Sequence, residues 1–583
     1  MSCIYAQSPT TAELGASAAI AKDRSNAHAT GAERVVRTLA KHGVEIIAGV
    51  PGGAALPIYD ALAQYSRIRH VLARHEQAAG FIAQGIARMS RRAAVCLATS
   101  GPGVTNLLTP IADAMADSIP LVCITAQVPQ HLIGTHAFQE VPTLDLARPI
   151  TKAAWMVRRT SDLESVIGEA FHSAETGRTG PVWVDIPKDV LLESCAASPV
   201  RVVPRIDRLA IHEHQIAAAV ELIRHAQQPV LLIGAGVVRA QAEQLLLRFA
   251  EQLQIPVAMT LFALGAIPHK HPLNLGMVGM HGALATNRAI HDCDVLIAIG
   301  TRFDDRATGD PKQLAPHARI IHVDSDAREL KKIMQPTVAI HADAWKVLTT
   351  LVARIPSRRH QPEIMLGNNA TGETSASQPA STSARSRAHQ IIAEIGAVVS
   401  ANTILTTDVG QHQMWVAQAY PFVRADRWLT SGGLGTMGFG LPAAIGAALF
   451  DPDATVVCCT GDGSLLMNIQ ELATLAELAL NVKILLFDNG GYGLVHQQQR
   501  LFYEGRYCAS VFQRRCDFVQ ISRSFEIAAQ HLSFESQDDP CWRRQLREFL
   551  IAKGPELMCV PIDMHNMALP MVPPGCANID AIP

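Results

Sequence analysis

The sequence predicts an α/β protein of three doubly wound parallel-sheet domains, and three observations carry that prediction. The first is size with composition: 583 residues, 48% hydrophobic, 17% charged, with 40 glycines. At ~100 to 200 residues per domain the chain holds several cores, and its apolar, glycine-rich balance suits sheets covered on both faces by close-packed helices. The second is recurrence. Short apolar runs at 93–98, 121–125, 229–233, 295–299, 455–460 and 483–487 are bounded by turn residues and separated by helix-length segments, the pattern of buried strands in βαβ units. The third is an internal echo. Leu97-Ala98-Thr99-Ser100-Gly101-Pro102-Gly103 leads through a helix-length segment to Leu121-Val122-Cys123-Ile124, as Cys459-Thr460-Gly461-Asp462-Gly463-Ser464 leads to Ile484-Leu485-Leu486-Phe487. Two related units therefore flank a third α/β region.

In chain order, residues 1–28 are rich in Ala, Ser and Thr, and Glu13, Asp23 and the lack of a continuous apolar stretch argue against a secretory signal. A disordered leader is expected there, with a plastid transit peptide as the weaker alternative. Domains are expected at 29–195, 205–355 and 388–575. Between the last two, 356–387 turns to Ser, Thr, Ala and Asn with few apolar residues and reads as a flexible linker. The 50 Lys+Arg against 52 Asp+Glu give a net charge of -2, which leaves no general basic surface and excludes a protein that tracks nucleic-acid phosphates. No apolar run reaches the roughly 18 residues of a membrane span; the longest, at 438–450, is broken by Gly440 and Pro442. The 12 cysteines show no CxxC spacing and read as free thiols of a reducing compartment, so a cytoplasmic enzyme is expected.

In the last unit the turn after a buried strand reads Gly461-Asp462-Gly463-Ser464, and 24 residues separate Gly463 from Asp488-Asn489-Gly490-Gly491. One helix and one strand fit that spacing, which brings both turns to the same edge of a doubly wound sheet, where ligands bind. Glycines let the backbone approach a diphosphate. Asp462 and Asn489 add one carboxylate and one neutral carbonyl oxygen, a donor set suited to joining Mg²⁺ to phosphate. Either turn alone would be ordinary; the pairing at this spacing carries the functional reading. In the first unit, Arg74-His75-Glu76-Gln77-Ala78-Ala79 places Glu76 at the start of an apolar segment that should desolvate it. A surface glutamate in a first helical turn is the plainer alternative. Ile233-Gly234-Ala235-Gly236-Val237 is a partial dinucleotide fingerprint, with Ala235 where a third glycine is common.

Longer motifs narrow the reading. Thr407-Asp408-Val409-Gly410-Gln411-His412-Gln413-Met414-Trp415, Ser431-Gly432-Gly433-Leu434-Gly435-Thr436-Met437-Gly438, Phe138-Gln139-Glu140-Val141, Asp185-Ile186-Pro187-Lys188-Asp189 and Arg302-Phe303-Asp304-Asp305-Arg306 resemble the catalytic subunits of the acetolactate (acetohydroxyacid) synthase family from about residue 32 to 575. The resemblance implies a pyrimidine-binding first domain, a central FAD-binding domain and a last domain binding diphosphate and Mg²⁺, with thiamine diphosphate, Mg²⁺ and FAD as cofactors. It implies that Glu76 activates the thiamine ring, that Gly410, Gln411, His412, Gly435, Met437, Gly461, Asp462, Gly463, Ser464, Asn489 and Gly491 contact thiamine diphosphate, and that Asp462, Asn489 and Gly491 hold the metal. For FAD it implies Arg178, Gly234, Gly236, Thr260, Leu261, His281, Gly300, Arg302, Asp324 and Asp343. Arg306 would take the carboxylate of the second substrate, a role that suits a bidentate guanidinium, with Gln139 as a further catalytic residue and Phe138, Met280 and Gln498 in the substrate pocket. Pyruvate and 2-ketobutyrate are the implied substrates. A homodimer or homotetramer with a regulatory small subunit is the implied assembly, because Glu76 and the metal site meet across two chains in that family.

Two other readings share the scaffold: a different thiamine enzyme such as a pyruvate oxidase, carboligase or decarboxylase, and a silent paralogue acting as a partner subunit. The Arg306 motif and Phe138-Gln139-Glu140 disfavour the first, and intact Glu76, Asp462 and Asn489 disfavour the second. One departure bears on specificity, since Gly493-Leu494-Val495-His496-Gln497-Gln498 ends in Gln498 where the family usually has Trp. An indole there would contact the extra methyl of 2-ketobutyrate, a contact worth about 1 to 3 kcal/mol. The expected outcome of a competition assay is a reduced preference for 2-ketobutyrate over pyruvate; a strong bias toward 2-aceto-2-hydroxybutyrate would refute it.

Overall fold

The computed structural model describes residues 28–196, 209–357, 386–534 and 541–583; all but the edges of the expected leader (1–28) and linker (356–387) lies outside the described residues. Each of the six apolar runs forms a strand, namely Ala94–Ala98, Leu121–Gln127, Pro229–Ile233, Val295–Ile299, Val456–Gly461 and Val482–Asp488. All six are buried almost throughout, as strands must be when helices cover both faces. They belong to three six-stranded sheets in which every neighbouring pair is parallel.

Numbered by position in the chain, the strands of the first sheet, from Ile46–Gly49 to Pro181–Pro187, lie in the order 2-1-3-4-6-5. Those of the last sheet, from Ile404–Thr407 to Glu556–Pro561, repeat that order. The middle sheet, from Pro229–Ile233 to Val338–His341, runs 3-2-1-4-5-6. The echo in the sequence is thus a repeat of topology, with a differently wound unit between the copies. In each sheet the order reverses at a switch point, where the loops leaving two adjacent strands diverge and open a crevice. These points lie between Ile46–Gly49 and Ala94–Ala98, between Pro229–Ile233 and Val295–Ile299, and between Ile404–Thr407 and Val456–Gly461.

The first and last units share a core, with Cys96, Cys123 and Trp183 in the same apolar cluster as Ile404, Val456 and Ile484. Helix Glu76–Ser90 meets helix Gly440–Phe450 at glycines. A Cβ on Gly85 would lie 2.3 Å from the Ala443 carbonyl oxygen, and one on Gly446 would lie 2.1 Å from that of Ile82. Phe81 meets Phe439 edge-on with centroids 5.4 Å apart. The apolar run at 438–450 is therefore a junction between units. Among the described residues no helix is long and apolar enough to cross a membrane.

Beyond the last sheet, residues 562–583 return to the middle unit as a strap. Val572 N donates to the Met280 carbonyl at 2.9 Å and Asp310 N to that of Cys576 at 3.0 Å, while Asn578 Nδ2 donates to Ala307 O at 2.9 Å. On the way Gln418 Nε2 donates to Leu569 O at 3.1 Å and Ala568 N donates to Gln497 Oε1 at 2.8 Å. Its partners are backbone groups of the middle unit and amide side chains on helices distant in sequence, so composition gave no sign of it.

The helix junction yields a test. Gly446→Ala forces a methyl into a backbone contact and should destabilise the folded chain by about 1 to 3 kcal/mol, read as a lowered urea midpoint at unchanged slope.

Candidate active site

At the switch point of the last sheet lies a cavity of about 410 Å³. All eleven expected thiamine contacts line it: Gly410, Gln411, His412, Gly435, Met437, Gly461, Asp462, Gly463, Ser464, Asn489 and Gly491. The strand Val456–Gly461 delivers Asp462 to the sheet edge, and Val482–Asp488 delivers Asn489 beside it. Asp462 Oδ2 accepts from Gly490 N at 2.8 Å and from Gly491 N at 2.9 Å, which knots the two turns together. Burial and the neighbouring Asp488 carboxylate push the Asp462 carboxyl up to about 7, and the Arg515 guanidinium donates to the Asn489 carbonyl at 3.4 Å at the same turn. Among the described residues no three His, Cys, Asp or Glu groups are placed to hold a metal. A cation at Asp462 would therefore draw on the Asn489 amide, backbone carbonyls and phosphate oxygens, which is how Mg²⁺ is usually bound.

His412 lines the same cavity, packed against the glycine that precedes Asp462. The His412 ring is fully enclosed, and burial lowers its pKa to about 3, so it is neutral. Its Nε2 is buried with no partner among the described residues. Such an orphaned group is costly unless a ligand completes it. Gly410 and Gly461 make room for the ring, since a Cβ on Gly410 would lie 2.7 Å from its Cε1 and one on Gly461 3.0 Å from its Nδ1. Trp415, Phe487, Leu494 and Ile562 supply apolar wall.

Glu76 does not line this cavity of its own chain. It opens helix Glu76–Ser90 in the first unit, is 9% exposed, and accepts from Asn106 Nδ2 at 2.9 Å. Burial and the Glu76 charge raise the pKa of Tyr59, whose hydroxyl is buried without a partner among the described residues. Gln139 has a positive φ of 60°, which brings it against Gly101 with a contact of 2.9 Å to a Cβ built there. Behind it Gln127 Nε2 donates to Val141 O at 3.2 Å and to the buried Asp185 at 3.2 Å, fixing the loop. Phe138 at the tip is 87% exposed.

The middle switch point holds a second cavity, of about 230 Å³, lined by Arg178, Gly234, Gly236, Thr260, Gly300, Arg302, Asp324 and Asp343 among the expected FAD contacts. Glycine is required at its floor, because a Cβ on Gly236 would lie 2.5 Å from the Gly300 Cα, and Gly300 has a φ of 63°. Leu261 and His281 depart from the expectation and do not line it. The Leu261 carbonyl accepts from Trp428 Nε1 at 2.9 Å. The His281 ring is turned to the strap, where Nδ1 donates to Pro570 O at 3.0 Å, and burial lowers its pKa to about 4. Arg306 is exposed; its Nε lies 3.7 Å from Asp305, also exposed, and its Nη1 donates to the Met280 sulfur at 3.2 Å. So open an ion pair holds the guanidinium weakly. Gln498 is exposed on helix Gly493–Phe502, one turn from the cavity-lining Leu494 and Val495.

Known proteins match this arrangement. Residues 29–147 match the thiamine pyrophosphate enzyme N-terminal TPP binding domain, 216–351 its central domain and 408–560 its C-terminal TPP binding domain. The chain is 49% identical to the acetolactate synthase isozyme 1 large subunit of Escherichia coli over 557 residues, covering 95% of this chain and 97% of the relative. It is 41% identical to the isozyme 2 large subunit of the same organism, covering 95% and 99%, and 41% identical to the acetolactate synthase large subunit of Corynebacterium glutamicum, covering 100% and 94%. The chain belongs to the acetolactate synthase large-subunit family of thiamine pyrophosphate enzymes. Enzymes of this family form carbon–carbon bonds with thiamine diphosphate, and Mg²⁺ and FAD are typical of them.

Motif reading of this family member missed what holds the loop carrying Gly435 and Met437. Ser431 Oγ and Thr436 Oγ1 both donate to Asp113 Oδ1, at 2.5 and 2.9 Å, and Gly433 N donates to Asp117 at 2.7 Å. At the far end Gly438 N and Gly440 N donate to the buried Asp408 at 2.8 and 3.2 Å. Arg88 balances the first pair, 2.7 Å from Asp117 and 3.9 Å from Asp113. Burial, with the adjacent Asp117 charge, still raises the Asp113 carboxyl to about 6. Asp113 and Asp117 lie more than 300 positions from the loop they hold, so no local signal marks them.

The clamp yields a test. Asp117→Ala frees Gly433 and leaves the half-buried Arg88 with only Asp113 as counter-ion, 3.9 Å away, a loss of about 1 to 3 kcal/mol. Urea unfolding should show this, and thiamine diphosphate affinity measured by titration should fall with it.

Proposed function

We propose that this chain is the catalytic large subunit of an acetolactate synthase, decarboxylating pyruvate and joining the remaining two-carbon unit to a second 2-keto acid. The products are 2-acetolactate from pyruvate and 2-aceto-2-hydroxybutyrate from 2-ketobutyrate, the first common step toward valine, leucine and isoleucine. The observation that carries the reading is the knot of Asp462 with Gly490 and Gly491 facing the unpartnered His412 in one cavity. One side is built for a cation and the other for the diphosphate that accompanies it.

When bound, thiamine diphosphate supplies the electron sink for loss of CO₂. Asp462, Asn489 and the Gly491 carbonyl would hold Mg²⁺, with His412 beside the diphosphate. Met437 would prop the cofactor, on a loop set by Asp113, Asp117 and Asp408. Glu76 would bond the ring nitrogen from a place that excludes water. Arg306, free of a strong ion pair, takes the carboxylate of the acceptor, and Phe138, Gln139 and Met280 shape its pocket.

Glu76, Phe138 and Gln139 form half a site on the first unit, and the cradle forms the other half on the last. Each half is edged by apolar side chains left in water: Phe138 is 87% exposed on one, and Leu434, Met467 and Val495 are 51%, 45% and 48% exposed on the other. Exposed apolar side chains of this size at a site mouth favour burial by a partner. A homodimer, alone or within a homotetramer, would bring the half-sites of two chains together, with a regulatory small subunit as a further partner and the cytoplasm as the location.

The expected outcome is acetolactate from pyruvate alone, assayed as acetoin after acidification, that requires Mg²⁺ and thiamine diphosphate. Glu76→Gln should lower the rate by about 10²- to 10⁴-fold. Mixing Glu76→Gln chains with Asp462→Ala chains should then restore up to about a quarter of wild-type activity, since hybrid dimers carry one intact site. Failure of two folded, separately inactive variants to complement would refute the shared site.

A further inference from the structure

Outside the residues that line the two cavities, one enclosed acid reaches from the last unit to the threshold of Glu76. Glu471 is fully buried and opens helix Glu471–Leu478, a short way along the chain from the Asp462 turn. Its Oε1 accepts from the backbone N–H of Arg74 at 2.9 Å, and its Oε2 accepts from Thr474 Oγ1 at 2.7 Å, which holds the carboxylate in that pose. Arg74 lies in the short connection, residues 73–75, between strand Arg69–Leu72 and helix Glu76–Ser90. Ala73 N donates to the Gly49 carbonyl at 3.2 Å within the first sheet. His75 caps the helix, its Nδ1 accepting from Gln77 N at 3.1 Å. Each residue of the connection is thus held, and the tie on the middle one comes from another unit. Further along the same helix Glu477 takes the Arg74 guanidinium in a pair open to solvent, which holds weakly. Leu472 and Leu475 pack in the core that also contains Ala73, Ala78 and Ala79, so the helix is seated against the connection it holds.

Burying a carboxylate is costly unless its oxygens are bonded, and here they are bonded to one backbone group and to the hydroxyl that orients them. That backbone group sets where the Glu76 helix begins. An acid working at a ring nitrogen must lie within hydrogen-bond reach of it, and a misplacement of about 1 Å costs on the order of 10²-fold in rate. We infer that Glu471 is a positioning residue for Glu76: by holding Arg74 it fixes the turn from which the Glu76 carboxylate is presented. This rests on the reading of Glu76 as the activating acid and of the site as shared between two chains. Glu471 thereby serves the site that its own chain's Glu76 enters, and not the metal cradle that it follows in sequence.

Complementation between full-length chains separates the two assignments. With Mg²⁺ and thiamine diphosphate saturating, Glu471→Ala should lower the rate by about 10- to 10²-fold at unchanged Mg²⁺ affinity. Glu471→Gln, which keeps an acceptor for the Arg74 N–H, should recover most of that loss, and Glu471→Asp, which draws the charge back from Arg74, stands in wherever Glu471→Ala does not fold. Mixed with Asp462→Ala chains, Glu471→Ala chains should regain up to about a quarter of wild-type activity, because hybrid dimers keep one site with both halves intact. Mixed with Glu76→Gln chains, they should gain nothing above the mean of the two alone. Where the control mixture of Glu76→Gln with Asp462→Ala gains, the reverse pattern puts Glu471 in the cradle and overturns the inference, and so does a gain in neither mixture, which marks a general loss of fold. If the control does not gain, the shared site falls and a double-variant comparison decides the inference by itself. Glu471→Ala should add no further loss to Glu76→Gln, whereas equal losses in both backgrounds would overturn it. An undiminished rate in Glu76→Gln sinks the reading of Glu76 and the inference with it; an undiminished rate in Glu471→Ala alone sinks only the inference.

Discussion

Asp462 accepts two backbone N–H groups from the turn that follows the next strand, at 2.8 and 2.9 Å, and the catalytic half of the molecule is arranged around that contact. It joins the glycine turn after Val456–Gly461 to the turn after Val482–Asp488, so two strand ends become one surface. It also leaves a carboxylate in a buried place beside Asp488, raised to about 7 by burial first and by that neighbour second. A bound cation would resolve the crowding, and with the cation comes a phosphate. Catalytic geometry and electrostatic need therefore arise from the same hydrogen bonds, in keeping with perturbed carboxylates marking functional sites.

The same device recurs in the other units with different content. Each sheet opens at a switch point between its first strand and the neighbour across the reversal, and each crevice is floored by small residues that permit close approach. In the first unit the crevice is flanked by Glu76 and Gln139, in the middle by the Gly236–Gly300 contact and arginines, and in the last by the contact of Asp462 with Gly490 and Gly491. The outer sheets share the 2-1-3-4-6-5 order and differ in the loops at their switch points, as loops on a rigid scaffold allow.

Helix Pro102–Asp117 joins the three. The Asp113 and Asp117 side chains hold the Ser431–Thr436 segment of the thiamine loop, while the Ala116 and Asp117 carbonyls hold Arg302 and Arg239 at the middle cavity. One helix end thus braces the walls of both cavities, one through carboxylates and the other through backbone.

Sequence alone determined the α/β class, the six principal strands, the two flanking related units and the two turns that bring Asp462 and Asn489 to one sheet edge. Those features are local: strand periodicity, glycine turns and a carboxylate set one helix and one strand from an amide are all written in contiguous residues. The place of Glu76 at the head of a buried helix was legible for the same reason. Tertiary structure decided what long-range contacts decide. Asp113 and Asp117 became loop clamps through partners more than 300 positions away, Arg239 became a cavity wall because a helix from another unit ends beneath it, and His281 turned to the C-terminal strap instead of the middle cavity. Packing also left Glu76 outside the cradle of its own chain. Whether a side chain faces a ligand, a neighbour or a second copy depends on which surfaces meet, and no spacing along one chain records that.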